Sequence, residues 1–443
     1  MICFLAHGAE ASENIVIGRK AIIERIIVSA PEALIAKEDL GIAEASVLSS
    51  KSVFDTNLDL GADHTYDKSK RSSTFFGTRQ DTTNWNIGLS KGFQSGTRTS
   101  IDWSNQRIRL FGVPTINGAN IFPTEPTYES TVSFSVTQPL LKNFAGKVDR
   151  ASVDSAKHAL EGADRLTKHK MNTIAYRALL AYWQLAIAYN NVAAWKLAVL
   201  DAQKFYDISL ERKNLGTAEE TDVLAAEANL INRKNGLSEA EIIESGLENE
   251  LKIILGYDSA DTLRPADKDL KFIHSDLPHP DDFIAAALAK RGDYLAQKAE
   301  VEKSEIVLVS AKNKRWPELD LTGTFALNEL KTSSYTNTLG DIDSPSWTVG
   351  MQLSYPLENR TARAEKKKSQ HEKAKAVIQL KNLENEITNT CTELISRLKK
   401  NIEVVNNSKE AESLQGKKLS LEMEKYKLGR SSSEVIIRYQ DDR

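Results

Sequence analysis

Cysteine is nearly absent from this chain: 443 residues carry two, Cys3 and Cys391. They lie far apart in unlike contexts, which excludes a disulfide framework. Proline is missing from two long stretches. None falls between Leu140 and Arg264, and none follows Leu357. Proline breaks helix interiors, so both stretches are free to be helical throughout. Glycine is scarce in the same places: Gly162 alone interrupts Arg150 to Asn214, and Gly416 alone interrupts Ala364 to Leu428. The sequence has no apolar run of about eighteen residues, so nothing in it spans a membrane as a helix. A formal net charge of -3 gives no reason to expect nucleic acid. Catalytic signatures are missing too, with no HExxH, no GxSxG and no phosphate-cradling glycine loop.

What is present is said nearly twice. Leu34-Ile35-Ala36-Lys37 through Leu58-Asp59-Leu60 lines up, without a gap, with Leu295-Ala296-Gln297-Lys298 through Leu319-Asp320-Leu321, at an offset of about 261. Gln138-Pro139-Leu140 answers Tyr355-Pro356-Leu357, and Leu215-Gly216-Thr217 answers Leu428-Gly429-Arg430. Such a repeat implies a tandem architecture.

Four segments alternate with period two. Phe54, Leu58, Leu60 and Ala62 oppose Asp55, Asn57, Asp59 and Asp63. Val132, Phe134 and Val136 oppose Thr131, Ser133, Ser135 and Thr137; Leu319, Leu321 and Phe325 oppose Asp320, Thr322 and Thr324. Trp347, Val349, Met351, Leu353 and Tyr355 oppose Thr348, Gly350, Gln352 and Ser354. Each segment is about ten residues, the length of a tilted strand that crosses an outer membrane. A half-buried soluble sheet shows the same alternation. Trp85, Trp103, Trp316 and Trp347 lie in or beside strand segments, and Tyr66, Tyr128 and Tyr355 sit at strand ends. That placement favours a membrane–water interface, where one ring edge is apolar and the other wet.

The proline-free stretches carry helical patterns. Ile174, Ala178, Ala181, Leu185, Ala188, Val192, Trp195 and Val199 follow four- and three-residue steps, a heptad seam rich in small residues. Ile387, Cys391, Leu394, Leu398, Ile402 and Val405 make a comparable stripe, in which Cys391 reads as a small core residue. Each run is about sixty-five residues, roughly 95 Å if fully helical. Both stop at a glycine, Gly216 or Gly429, and a new helix follows at once. Thr217 with Glu220, and Ser431 with Glu434, fit the S/T-x-x-E capping box. Each half thus holds an antiparallel helical hairpin with a tight tip.

Strand, strand, long helix, glycine tip and return helix, repeated twice, resembles the TolC family of outer-membrane efflux proteins. The likeness covers nearly the whole chain. Its sharper motifs are Thr137-Gln138-Pro139-Leu140-Leu141 at a strand-to-helix transition and Gly216-Thr217-Ala218-Glu219-Glu220-Thr221-Asp222-Val223-Leu224 at a tip. The fold class expected is an internally duplicated α+β membrane protein. The resemblance implies four barrel strands per protomer and long antiparallel coiled-coil helices, forming a trimeric β-barrel/α-barrel channel-tunnel. It implies no enzyme and no cofactor or metal; the seven histidines, with His158 and His169 eleven apart on one helix, lack ligand-like spacing and are expected at the surface or in the lumen. Implied partners are two further copies in a homotrimer, a periplasmic adaptor (membrane fusion) protein, an inner-membrane transporter of RND, ABC or MFS type, and outer-membrane lipid. The function implied is passive passage of substrates through the exit duct of a tripartite efflux pump or type I secretion system. The competing class is a soluble or peripheral coiled-coil scaffold that binds partners through its helical faces. A pump adaptor also carries helical hairpins, but the double repeat argues against it.

The expected organisation is residues 1–11 as a signal-peptide remnant, 12–256 as the first repeat, 257–281 as a linker and 282–443 as the second. Within the repeats, strands are expected near 53–66, 128–138, 317–326 and 346–356, and helical hairpins over 148–256 and from 360 onward. Ala9-Glu10-Ala11 resembles a cleavage site, so the native start is expected upstream. The second return helix starts at Ser431 and reaches only Arg443, so about two dozen further helical residues are expected. The connection between the first two strands exceeds its counterpart by about 44 residues, and Trp85, Ile87 and Leu89 alternate before Ser95-Gly96-Thr97, with Thr99, Ile101 and Trp103 after it. This reads as an added hairpin over 84–107. The resemblance puts it at the outer mouth as an extension or cap; two extra barrel strands are the alternative.

For site residues, the resemblance implies a periplasmic gate at Thr221, Asp222, Tyr426, Arg430 and Ser431, closed by hydrogen bonds and ion pairs. It also implies a polar lumen face that includes Asp55, Asp59, Asp63 and Asp320. The family arginine expected two residues after Gly429 is Ser431 here, with Arg430 one position earlier. Val435 and Arg438 occupy positions that the family can fill with a cation-sensitive acidic ring, which puts that ring in doubt. Asp222 read locally is a helix-start residue that favours the positive helix end.

Overall fold

The computed structural model of the protein describes residues 14–70, 77–116, 119–120, 125–266, 279–332 and 342–441. The expected signal remnant, the centre of the linker and residues 71–76 lie outside these. In chain order the first elements are β1 (Asn14–Ile17), α1 (Arg19–Ser29), α2 (Pro31–Ser50), β2 (Thr56–Asp67), β3 (Arg79–Gly92) and β4 (Arg98–Phe111). Next come the short β5 (Thr115–Ile116) and β6 (Ala119–Asn120), then β7 (Thr127–Pro139), α3 (Lys147–Asn214), α4 (Glu220–Leu255) and β8 (Thr262–Pro265). The chain continues with α5 (Pro280–Lys290), α6 (Gly292–Asn313), β9 (Glu318–Lys331), β10 (Ser344–Ser354), α7 (Arg360–Lys427) and α8 (Ser433–Asp441).

Two compact units emerge. One comprises Gly41–Ala163 and Ala296–Lys381; the other comprises Met1–Leu40, Asp164–Leu295 and Asn382–Arg443. The first holds a six-stranded antiparallel sheet in the order β10-β9-β7-β4-β3-β2. The expectation of four strands is corrected here. The 84–107 segment is not a projection but two full strands of this sheet: β3 pairs with β2, and β4 pairs with β7. Hydrogen bonding is the reason, because β3 and β4 fill the ladder that β2 and β7 would otherwise share. Phase is the second reason. Leu58, Leu89, Ile101, Phe134, Phe325 and Trp347 lie opposite one another in a single row across all six strands. The next position along gives Asn57, Ser90, Ser100, Ser135, Thr324 and Thr348, an entirely polar row on the other face. The side-chain period of two thus stays in register through the added pair.

The strand-to-helix junction beneath β7 is built by Asn143, whose φ of 61° is left-handed. Its side-chain oxygen accepts from the Val148 amide at 2.8 Å, and its Nδ2 donates to Asp149 Oδ2 at 2.7 Å, so one asparagine caps the start of α3. Asn359 ahead of α7 is also left-handed, with φ 43°, but its Nδ2 donates to the distant Arg315 carbonyl at 3.1 Å rather than to the helix start. Asparagine tolerates this conformation better than other side chains because its amide bonds locally.

In the other unit, the expected linker is partly structured. β8 lies inside it and pairs in parallel with β1, Ile15 opposite Leu263 and Ile17 opposite Pro265. Ile17, Leu263, Ile22 and Ile26 join Ile174, Ala178, Ala181, Tyr182 and Leu185 of α3 and Leu251 and Leu255 of α4 in one buried cluster. The first heptad seam is therefore a core from Ile174 to Val192. The second departs from its expected path. Ile387, Cys391 and Ile395 are buried, whereas Leu394, Leu398 and Val405 are exposed. A 3.6-residue period drifts away from a strict heptad when no supercoiling partner holds it.

Candidate functional site

The expected gate residues fall at two helix tips of the same unit. Each tip turns on a glycine in the left-handed region, Gly216 (φ 73°) and Gly429 (φ 74°). Such a φ is strained for a side chain but not for glycine, which is how a helix can stop and reverse within a few residues. At the first tip, the Thr217 amide and hydroxyl both donate to the Arg212 carbonyl, at 2.9 and 3.0 Å. Thr217 thus closes α3 rather than opening α4. The α4 capping box instead joins Glu219 and Asp222: the Glu219 carboxylate accepts from the Asp222 amide, and Asp222 Oδ2 accepts from the Glu219 amide at 3.3 Å. The expected Thr217–Glu220 box is shifted by two residues. Glu220 pairs with Lys213 across the turn.

The second tip leans on the first. Tyr426, at the end of α7, is 1 % exposed and packs with Phe205, Ala226 and Ile436. Its ring centroid lies 5.2 Å from that of Phe205, its hydroxyl is 3.2 Å from Ser209 Oγ, and the Arg212 guanidinium stacks 4.6 Å from its centroid. Arg212 also donates to the Tyr426 carbonyl at 3.3 Å. Ser433 in the first turn of α8 donates to Asp222 Oδ1 at 2.6 Å, and Asn229 of α4 bonds Gln440 at 2.9 Å. Asp222 therefore serves both tips, with one oxygen on its own helix start and the other on Ser433.

The remaining expected residues sit farther out. Thr221 is exposed, with its hydroxyl 3.4 Å from Glu219 Oε2. Arg430 is exposed, and its amide donates to the Lys425 carbonyl at 2.9 Å. Ser431 has a buried hydroxyl that completes no hydrogen bond, so the expected Ser431–Glu434 box does not form. It still lies close to Glu422. The Lys425 partner, and after it Ser431, hold the Glu422 carboxyl below its usual range, and Glu422 in turn raises Lys425. The structure thus brings Asp222 and Tyr426 into one assembly but gives them separate partners. Sequence reading missed Phe205, Ser209, Arg212 and Ser433. The first three recur at four- and three-residue steps on α3, the one available signal that they share a face.

On the sheet, Asp59, Asp63 and Asp320 stand on the polar face, the face of Asn57 and Thr324. Asp55 precedes β2 at a bend. Opposite them the apolar face is open: Trp347, Met351 and Leu60 are 76 %, 70 % and 70 % exposed. No helix among the described residues is long and apolar enough to cross a membrane. His158 Nδ1 lies 3.8 Å from Glu161 and 3.4 Å from Glu302, a half-exposed cluster of one imidazole and two carboxylates.

No protein-family model matches the chain, and no curated protein matches its sequence. Solved structures do. The outer-membrane protein VceC of Vibrio cholerae matches with a TM-score of 0.67 at 14% identity, over 96% of this chain and 91% of that one. The MtrE outer-membrane channel of Neisseria gonorrhoeae, in its open state, gives 0.68 at 12%, over 96% and 82%. The CmeC outer-membrane channel of Campylobacter jejuni gives 0.65 at 14%, over 99% and 84%. The chain has the fold of the TolC-like outer-membrane channels. At these identities the likeness is one of fold, and it extends over nearly all of the chain.

Proposed function

We propose that this protein is the exit duct of an export machine, set in an outer membrane and passing substrates passively from a periplasmic or inner-membrane partner to the exterior. The observation that carries this reading is the two-faced sheet. Its apolar rows are open on one face across all six strands while its other face is polar, the arrangement of a barrel wall with lipid outside and water inside. The fold likeness to outer-membrane channels supports it independently.

A single copy cannot complete such a wall. β2 and β10 each have a partner strand on one side only. In hydrocarbon each unpaired backbone group costs several kcal/mol, so open edges do not persist there. A homotrimer removes them. The exposed Leu394, Leu398 and Val405 on α7 are a surface that neighbouring copies cover in the same assembly. The tips around Asp222 and Tyr426 form the gate, with Asp55, Asp59, Asp63 and Asp320 toward the lumen. The remaining partners are an adaptor and an inner-membrane transporter of a tripartite pump or type I secretion system.

Membrane fractionation with heat-modifiable migration in detergent tests the reading. The expected result is an outer-membrane band that shifts on boiling. Recovery of the full chain in the soluble fraction, with no heat-dependent shift, indicates a coiled-coil scaffold instead.

A further inference from the structure

We propose that the β3–β4 pair is part of the barrel wall, so that each copy contributes six strands and joins its β2 edge to the β10 edge of a second copy. This inference rests on the exit-duct reading. Three copies of the six-stranded sheet then supply eighteen strands, where the family resemblance implies twelve. Barrel diameter grows roughly linearly with strand number, so the barrel is about half as wide again.

Three observations carry it. The first is the continuity of both faces. β3 and β4 place Leu89 and Ile101 in the apolar row, Ile87 and Trp103 in the row beside it, and Ser90 and Ser100 in the polar row. A hairpin that stood in water above the mouth would have no reason to keep an apolar face in phase with its neighbours.

The second is where the β3–β4 turn lies. It is locked against the strand-to-helix junction of α3, at the end of the sheet opposite the outer mouth. Arg150 of α3 donates to the Gln94 carbonyl at 3.3 Å, and the Thr97 hydroxyl donates to Gln138 of β7 at 2.5 Å. The approach is too close for side chains. A Cβ on Gly96 would stand 2.9 Å from the Asn143 carbonyl oxygen, and one on Gly146 would stand 2.1 Å from that of Gln94. Both glycines also have positive φ, 80° and 68°. β3 and β4 therefore run the full height of the sheet rather than extending beyond it.

The third is parity. Six antiparallel strands leave β2 and β10 pointing in opposite directions. The β2 edge of one copy can therefore meet the β10 edge of the next as another antiparallel pair, and identical copies close head to tail into a ring. The edge strands match in length at 12 and 11 residues.

Single cysteines in the full chain test this, placed in a Cys3→Ser, Cys391→Ala background and reconstituted into phospholipid vesicles. Ile87→Cys, Leu89→Cys and Ile101→Cys are expected to lose reaction with a water-soluble maleimide, and a fluorophore attached at them to be quenched by brominated lipid. Asn86→Cys, Ser90→Cys and Ser100→Cys are expected to react. Val349→Cys and Met351→Cys on β10 report whether the sheet is in the bilayer at all. If those two are protected while both faces of β3–β4 react, the pair stands outside the wall and the proposal is overturned with the duct reading intact. If β10 reacts freely as well, both fall. In the same background, Leu60→Cys combined in turn with Val349→Cys, Met351→Cys and Leu353→Cys is expected to give an oxidised dimer and trimer ladder for at least one pair. No ladder for any of the three, with β10 protected, contradicts the β2-to-β10 joint.

Discussion

The two helix tips share a design and differ in independence. α3 and α7 are each 68 residues long, and each stops two residues before a left-handed glycine. The Gly216 tip satisfies itself: Thr217 closes α3, the Glu219–Asp222 box opens α4, and Lys213 meets Glu220. At the Gly429 tip the Ser431 hydroxyl completes no capping box and lies against Glu422 instead. This tip is held from outside, by Asp222 on Ser433 and by Phe205, Ser209 and Arg212 around Tyr426. A pair of tips built this way has a fixed half and a dependent half. Loosening the dependent half need not unfold the other.

Tyr426→Ala breaks the dependence most severely. It empties a buried aromatic site, a loss of about 3–5 kcal/mol for large-to-small core changes. Hydrogen exchange is expected to rise steeply from Met423 to Gln440 while amides from Val223 to Leu230 change far less. Equal acceleration at both tips counts against the asymmetry. Asp222→Ala comes next, since it removes the Ser433 bond and half of a capping box. A lost helix cap costs about 0.5–2 kcal/mol, so exchange should rise at both tips, more at the second. Asp222→Asn, which keeps an acceptor, should recover part of the loss.

Thr217→Val is smaller and opposite in location. It deletes one hydroxyl bond to the Arg212 carbonyl, worth about 0.5–1.5 kcal/mol, and its effect on exchange should stay within Lys213 to Asp222. The smallest effect is expected on acidification. Glu422 is held below its ordinary range by Lys425. Its contribution is therefore complete above the normal glutamate pKa and fades as pH falls through the lowered folded value. Lys425 is solvent-exposed and Glu422 is largely covered, and water screens the pair from the lysine side, so only a slight rise in exchange near Met423 and Lys425 should accompany that titration, and Glu422→Gln should abolish its pH dependence.

Much of this was legible in the sequence, and what was not has physical reasons. Proline-free and glycine-poor runs located α3 and α7, because few sequences of that length can avoid breakers without being helical. Gly216 and Gly429 marked the tips, because positive φ has few other tenants. The Thr217–Glu220 match misled: a threonine hydroxyl can serve the carbonyl behind it as well as the amides ahead, and only geometry chooses. The strands β3 and β4 were visible as alternation, but their place was not. Alternation records that a strand has two faces and says nothing of which strand lies beside it. The β1–β8 pair escaped for a similar reason, since four residues at each end of a 248-residue offset leave no local trace. Asp222 was recognised as a tip residue, yet its bond to Ser433 joins segments that no spacing rule connects.

Single-channel recording of the purified chain in planar lipid bilayers tests the exit-duct reading most directly. Discrete conductance steps are expected from the native protein, with larger steps from Asp222→Ala and Tyr426→Phe, because each removes a hydrogen bond that holds the dependent tip in place. Contradiction would be a chain that binds the bilayer or remains in solution without ever producing a step, native and variants alike.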